Sequence, residues 1–574
     1  MALYDKASLV LIPSGTKAGT VYSQKPTSGD GDFTFSRSTY ATRVNSQGLI
    51  EKERGNLLLQ SNNFDTTWTT PSSSVTSGQA GYDGSNDAWL LNTTGVGGYV
   101  IQSVSLAGVQ TLSVYAKAGS NNFIMVQLDG AGADKRIYVN LIDGSTGTAG
   151  GGNITASTTS VGGGWWRIQV VANTTSTGAR FYAVVADGDL SGSSGNVYIQ
   201  DAQLEQGLVA TDYIETTTSA VYTGITDNVP RLDYDGDCPS LLLEPQRQNL
   251  VSYSEYLEEA DNLADAQILN TTDTTPEGTI NAKVLAYDGG TNQHYLSNVP
   301  SVTSGQTYTF SVFLKKKEVR YAALIFLNDF RGRFFDLETG SILGTIGSGS
   351  LVDSKIEDYG NGWYRCSITD TATSTTKFSG VYLCHSATSF GGFTPTNTDG
   401  FYVWGAQLEE GSYATSYIPT YGTSVTRNAD DLELSTLSTV FDSSEDYTVF
   451  FEHGRIHEGT EAQFMYIRNV DFNYITLNAQ GSGNFNVGLW NGSEFTSAIY
   501  SGGDFNVGSP IKVVVRVQDS TTSVFINGSE ISINKPYVVP RNFTTYQNNK
   551  NHRIHKEVYI SEALTDQECI DLTT

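Results

Sequence analysis

Apolar residues along this chain recur at every second position in short runs, with polar turn residues between them. T-L-S-V-Y-A, F-I-M-V-Q-L, R-I-Y-V-N-L, W-R-I-Q-V-V and R-F-Y-A-V-V alternate or are apolar throughout, and Gly, Ser, Asn and Asp cluster where they stop. A period of two is that of a strand with one buried face, and helical windows with a period of 3.6 are not seen at useful length. Strands at this density predict antiparallel sandwiches of about eight to ten strands, most simply jelly rolls.

The pattern occurs twice. N-L-L-L-Q-S from Asn56 is matched by N-L-V-S-Y-S from Asn249, and L-S-V-Y-A-K (Leu112 to Lys117) by F-S-V-F-L-K (Phe310 to Lys315). G-W-W-R (Gly164 to Arg167) is matched by G-W-Y-R (Gly362 to Arg365), and A-Q-L-E-Q-G-L-V-A-T-D-Y-I (Ala202 to Ile214) by A-Q-L-E-E-G-S-Y-A-T-S-Y-I (Ala406 to Ile418). Blocks in one order at a nearly constant offset mark a tandem duplication, residues 56–216 and 249–420, with a period too long for a solenoid. The Trp166 and Trp363 motifs each follow a Gly-containing turn and open a strand. They read as core tryptophans whose neighbouring arginine covers a sheet edge.

Around the two units lie shorter pieces. Residues 1–55 show the alternation Phe33, Phe35 against Thr34, Ser36 and a turn at Asn45 to Gly48; so short a segment cannot bury a core and is expected to be an attachment element, packed on a neighbouring domain or on other copies. Residues 217–248 form a connector in which Pro230, Pro239 and Pro245 exclude a helix interior or a central strand. Residues 421–431 read as a polar linker. A third domain, residues 432–574, contains Y-T-V-F-F-E, F-N-V-G-L-W, I-K-V-V-V-R-V and S-V-F-I-N-G.

Length changes the picture little: 574 residues exceed what one hydrophobic core supports. Charge excludes more. A net charge of −26 argues against a nucleic-acid partner, because phosphate binding needs clustered Lys and Arg. The basic run Lys315-Lys316-Lys317 reads as a solvated strand end. No stretch approaches the roughly 20 apolar residues that span a bilayer, and Met1 to Pro13 carries Asp5, Lys6 and only a short apolar run, so no signal peptide is expected. The chain is expected to be soluble and made in a cytoplasm. Cys238, Cys366, Cys384 and Cys569 are too scattered for a disulfide framework or zinc site; Cys366 and Cys384 could face each other, but free thiols are expected.

No nucleophile or acid–base constellation stands out, and no enzyme is expected. His453 and His457 would diverge from a strand and turn, and His552 and His555, at odd spacing in a strand, face opposite sides. Asp233, Asp235 and Asp237 alternate around Gly236 in D-Y-D-G-D, and oxygen ligands at this spacing can wrap calcium. The EF-hand glutamate is missing, and turn chemistry alone explains the cluster. No cofactor is expected beyond a possible structural calcium.

Two resemblances sharpen the expectation. I-K-V-V-V-R-V, a turn, S-V-F-I-N-G-S-E and a closing V-Y-I-S-E-A-L-T-D-Q-E resemble the laminin-G or concanavalin-like lectin sandwich, with Asn527-Gly528 as the hairpin turn and Leu564, Thr565, Asp566 and Glu568 after the last strand. F-T-F-S-R-S-T-Y-A-T-R-V-N-S-Q-G-L-I-E, N-V-P-R-L-D-Y-D-G-D-C-P-S-L-L-L-E-P-Q-R-Q-N-L and G-A-Q-L-E-E-G-S-Y-A-T-S-Y-I-P-T-Y-G-T-S-V-T-R resemble recurrent segments of tailed-bacteriophage virion proteins. In that family these segments flank jelly rolls similar to carbohydrate-binding modules. There the G-L-I-E block runs almost directly into N-x-P-R-L-D-Y, whereas here the first jelly roll stands between them, as if inserted. Jelly rolls and laminin-G-like domains often carry a structural calcium, which the resemblance implies without placing it.

The expected fold class is all-β: tandem antiparallel jelly-roll sandwiches plus a C-terminal lectin-like sandwich. The expected function is a virion fibre or adhesin, a homo-oligomer and by the resemblance a trimer, bound to other virion proteins and to host cell-surface glycans. A purely structural virion component, in head decoration or tail assembly, is one alternative. A polysaccharide depolymerase is another. The glycan-binding residues are not given by the sequence.

Overall fold

The computed structural model describes the chain except residues 1, 2, 96, 190–193, 235–237, 272, 291, 392–397, 456–461, 470–472, 480–483, 502–509 and 549–551. It is about 53% strand and 3% helix, in antiparallel sheets. In the first jelly roll the long strands Val100–Ala118 and Trp165–Val184 run side by side through a nine-stranded sheet. A register shift between Ser103 and Leu106 interrupts that pair, the kind of irregularity that bends a long strand. The second jelly roll has two six-stranded sheets closed over Phe310, Val312, Leu324, Phe335, Ile368 and Phe401.

The duplicated motifs have duplicated roles. Asn56 donates to the carbonyls of Ala202 (3.0 Å) and Ile214 (2.9 Å) and accepts from the amides of Leu58 and Leu204. Asn249 does the same with Ala406 (3.2 Å), Ile418 (2.8 Å), Val251 and Leu408. Ser61 meets the Tyr213 hydroxyl at 2.6 Å and Ser254 the Tyr417 hydroxyl at 2.7 Å. Each set ties the first residues of a unit to its last strand and to the segment that follows that strand, which satisfies buried backbone groups where no ladder reaches them.

The tryptophans differ from expectation in detail. Trp165, not Trp166, is the equivalent of Trp363, and both are buried. They pack in side clusters on the outer faces of their sheets, Trp363 with Phe313 and Trp404, and Trp165 with Tyr115 and Ala88. Arg365 does not cover a sheet edge: it is buried and donates to the Thr415 carbonyl at 2.6 Å. The repeated arginine Arg167 reaches the matching carbonyl, that of Thr211.

The C-terminal sandwich is larger than residues 432–574. Leu9–Leu11 and Pro239–Leu243 both pair with His552–Ile560, and Phe33–Ser36 pairs with Asp431–Leu434. Leu9, Leu11, Val21, Phe33, Phe35, Leu241 and Leu243 share one core with Leu432, Phe451, Val513 and Tyr546. The first part of segment 1–55 and the connector strands Arg231–Tyr234 and Pro239–Leu243 are therefore strands of this sandwich and not separate pieces, while the linker strand Val425–Arg427 pairs with Arg247–Asn249 in a two-stranded sheet of its own. Alternating apolar residues on strands this short are buried only inside a larger sheet, and this one supplies the partners. Arg54–Asn56 pairs with Val221–Thr223, so the chain enters and leaves the first jelly roll through a two-stranded neck.

Two buried ion clusters join these segments. Arg37 binds Asp430 at 2.9 Å, Arg231 binds Glu244 at 2.6 Å and also Asp430, and Arg427 binds Glu244 at 2.6 Å. The two arginines beside it hold the Glu244 carboxyl far below the carboxylate range against the opposing effect of burial, and burial pulls Arg37 down to about 10. In the second cluster Lys52 lies 2.8 Å from Glu255 and 2.7 Å from Glu277, and Arg54 lies 3.1 Å from Glu277.

Two motifs of the lectin-like resemblance are local devices. Asn527 and Gly528 both have positive φ, as a tight hairpin requires. The L-T-D-x-E block is a helix start: Thr565 accepts from the Glu568 amide and the Glu568 carboxylate accepts from the Thr565 amide.

Candidate functional site

The outer face of the C-terminal sandwich carries a row of aromatic side chains. Four consecutive strands, Ala462–Arg468, Asn473–Ala479, Phe485–Asn491 and Phe495–Tyr500, pair antiparallel in that order. Met465, Ile467, Ile475, Leu477, Val487, Leu489 and Ala498 fill the core, so the alternate positions point outward. The register sets Arg468 opposite Tyr474, Tyr474 opposite Trp490, and Trp490 opposite Phe495, a straight line across four strands.

The rings form a platform. Tyr474 and Trp490 lie nearly parallel, at 17° with centroids 6.4 Å apart. Tyr466 and Tyr474 are 5.2 Å apart, and the Arg468 guanidinium sits 5.3 Å from the Tyr466 ring. Phe495 is 46% exposed. A Cβ at Gly488 would come within 3.4 Å of the Phe495 ring and 2.6 Å of Thr476 Oγ1, so glycine gives that ring room to lie along the sheet. Beside the rings Asn478 faces Asn486 across the strands, and the Asn486 amide oxygen is buried without a hydrogen-bond partner among the described residues. Flat aromatic faces next to amides and hydroxyls offer apolar contact and hydrogen bonds together, the combination that suits a polyhydroxylated ring.

The residues singled out from sequence lie elsewhere. Asp233 is buried, accepts from the Val44 amide at 2.6 Å and pairs with Arg553 at 2.5 Å. Both of its oxygens are engaged and an arginine stands where a cation would, so Asp233 in this arrangement does not fit a calcium ligand. Asp235 and Asp237 lie outside the described residues, among which no group of three or more potential ligands gathers.

His457 also lies outside the described residues. His552 and His555 do face opposite sides: His552 stacks inside on His453, with centroids 4.9 Å apart, and His555 lines a cleft. His453 contacts Glu557 at 2.8 Å, and Glu557 also accepts from the Tyr546 and Tyr559 hydroxyls. Lys315, Lys316 and Lys317 pair with Asp273, Glu338 and Glu318, as a solvated strand end does. All four cysteines are free, Cys238 exposed and the others buried.

No family model matches the chain. The search of curated proteins finds no match either. Among solved structures, the carbohydrate-binding module of the Ruminococcus gnavus IT-sialidase, bound to alpha2,3 sialyllactose, is 13% identical with a TM-score of 0.20 over 23% of this chain and 84% of that chain. The tandem CBM22 domains of Paenibacillus barcinonensis Xyn10C are 13% identical with a TM-score of 0.20 over 62% of this chain and 97% of that one. Domains LG4-5 of the mouse laminin alpha1 chain are 12% identical with a TM-score of 0.15 over 50% and 85%. Scores this low add nothing to what strand pairing itself establishes, an all-β chain of antiparallel sandwiches.

Proposed function

We propose that the chain is a non-enzymatic fibre or adhesin of a tailed-bacteriophage virion, whose C-terminal sandwich offers its aromatic row to glycans of a host surface. The row Tyr474, Trp490 and Phe495 carries the reading: the first two rings are half-buried and Phe495 is exposed, and apolar faces aligned across a sheet are costly to leave in water without an occupant. The virion assignment is supported by the phage-like sequence blocks, which supply Arg37, Arg231, Glu244 and Arg427 of the buried cluster.

Weak sites become strong when many copies meet one surface. A trimer would supply that multivalency and cover the strands Phe495–Tyr500 and Ser529–Ile531, which end their sheets. The alternative, a purely structural virion component, is favoured by the buried ion clusters, which tie the N-terminal segment, the neck and the connector to the second jelly roll and the C-terminal sandwich whatever they bind. A glycan array probed with the full chain separates the two. Saturable binding to a subset of glycans is expected; a blank array with folded protein would overturn the adhesin and leave the structural role.

A further inference from the structure

The cleft that His555 lines, of about 340 Å3, opens where the second jelly roll meets the N-terminal segment, the connector and the C-terminal sandwich. One wall is the edge strand Asp353–Asp358. Asp353, Lys355 and Glu357 share one face of it and lie opposite Thr369, Ser367 and Arg365 of the neighbouring strand, and all six line the cleft. Asp353, Lys355 and Glu357 make no ion pair among the described residues.

Arg365, 2% exposed, gives one Nη to the Thr415 carbonyl and the other to Ser311 Oγ, while its Nε has no acceptor among the described residues. Tyr359 and Tyr413 supply rings. The facing wall holds the Asp233–Arg553 pair, Arg43 fixed by Glu51 at 2.8 Å, and His555.

This lining selects a ligand class. Arg43, Lys355, Arg365 and Arg553 are balanced by Asp233, Glu244, Asp353 and Glu357, so neither an anion nor a cation is favoured. Acceptor, donor and acceptor alternate along the wall, and a hydroxyl is the group that both donates and accepts. A buried donor left unmade, such as Arg365 Nε, costs stability that a ligand oxygen would recover. The volume is at the lower end of ligand pockets.

We infer that this cleft binds a neutral mono- or disaccharide, the terminal unit of a surface glycan, held between the second jelly roll and the C-terminal sandwich. The inference rests on the glycan-binding reading and adds a second site to it.

The test is thermal unfolding of the full chain with methyl glycosides of glucose, galactose, mannose and N-acetylglucosamine, and with glucuronate as the charged control. A ligand of the folded state raises the unfolding temperature. At least one neutral glycoside, and not glucuronate, is expected to do so in the wild type and in Trp490→Ala. The shift is expected to vanish in Lys355→Met combined with Glu357→Gln, whose circular dichroism stays that of the wild type. A shift that survives the cleft variant and disappears in Trp490→Ala would overturn the inference. So would the lack of any shift in a protein that binds the glycan array, which leaves the aromatic row standing; failure in both assays removes both readings.

Discussion

Arg231 and Asp430, 199 residues apart in sequence, form an ion pair in which neither side chain has any exposed surface. Arg231 comes from the connector and Asp430 from the linker before the third domain, and Arg37 from the N-terminal segment reaches the same carboxylate. Removing one partner of such a group leaves an uncompensated buried charge. Arg231→Met and Asp430→Asn are each expected to destabilise the folded chain by about 3–5 kcal/mol in urea unfolding. A loss below about 1 kcal/mol would put the cluster in the class of surface pairs.

Glu244 gives the same cluster a pH signature. Its folded carboxyl titrates well below its ordinary value of 4.5. A depressed acid contributes stability above its unfolded pKa, and that contribution is lost as pH falls through the folded value. Glu244→Gln is expected to be destabilised at pH 7 and to show a shallower fall of stability below pH about 4.5 than the wild type. A parallel pH profile for the two proteins would exclude Glu244 as the source.

Asp201, in the first jelly roll, should act in the opposite sense. Burial pushes its carboxyl up to about 7, although the Tyr82 hydroxyl donates to it at 2.9 Å. A raised acid favours the folded state fully below its unfolded pKa, and that contribution is lost as pH rises through the folded value. The thermal stability of the first jelly roll is expected to fall as pH rises from the ordinary 3.8 to about 7, and Asp201→Asn to flatten that slope.

The three-part sandwich makes a prediction about fragments. Residues 432–574 alone lack Leu9, Leu11, Phe33, Phe35, Leu241 and Leu243 from their core, and are expected to be insoluble or to show no cooperative unfolding. A chain with residues 57–220 replaced by a short turn keeps both halves of the neck and is expected to fold, with unchanged strand content by circular dichroism for the remainder. Cooperative folding of the 432–574 fragment would contradict the shared core.

The sequence made the two jelly rolls legible because their matched residues, from Asn56 and Asn249 to Arg167 and Arg365, perform the same backbone-satisfying tasks. It did not show that Leu9–Leu11 belongs to the last domain. A three-residue strand declares its apolar face but not its partner, and the partner here is the Tyr559 strand at the other end of the chain. The aromatic row was hidden for a related reason. Tyr474, Trp490 and Phe495 sit in separate strands, and only the register brings them into line. Their signal was available as aromatic residues in the polar phase of Y-I-T-L-N and F-N-V-G-L-W. His453 and His552 likewise looked unrelated until the direct pairing of their two strands stacked them.

The most direct measurement is the affinity of the full chain for a glycan selected on the array, compared between the wild type, Trp490→Ala and Tyr474→Ala. Both side chains point out of the sheet and away from the core. The variants are therefore expected to unfold near the wild-type temperature and to bind about tenfold or more weakly, as truncation of an aromatic anchor does. Undiminished binding by both variants would contradict the aromatic row as the glycan site.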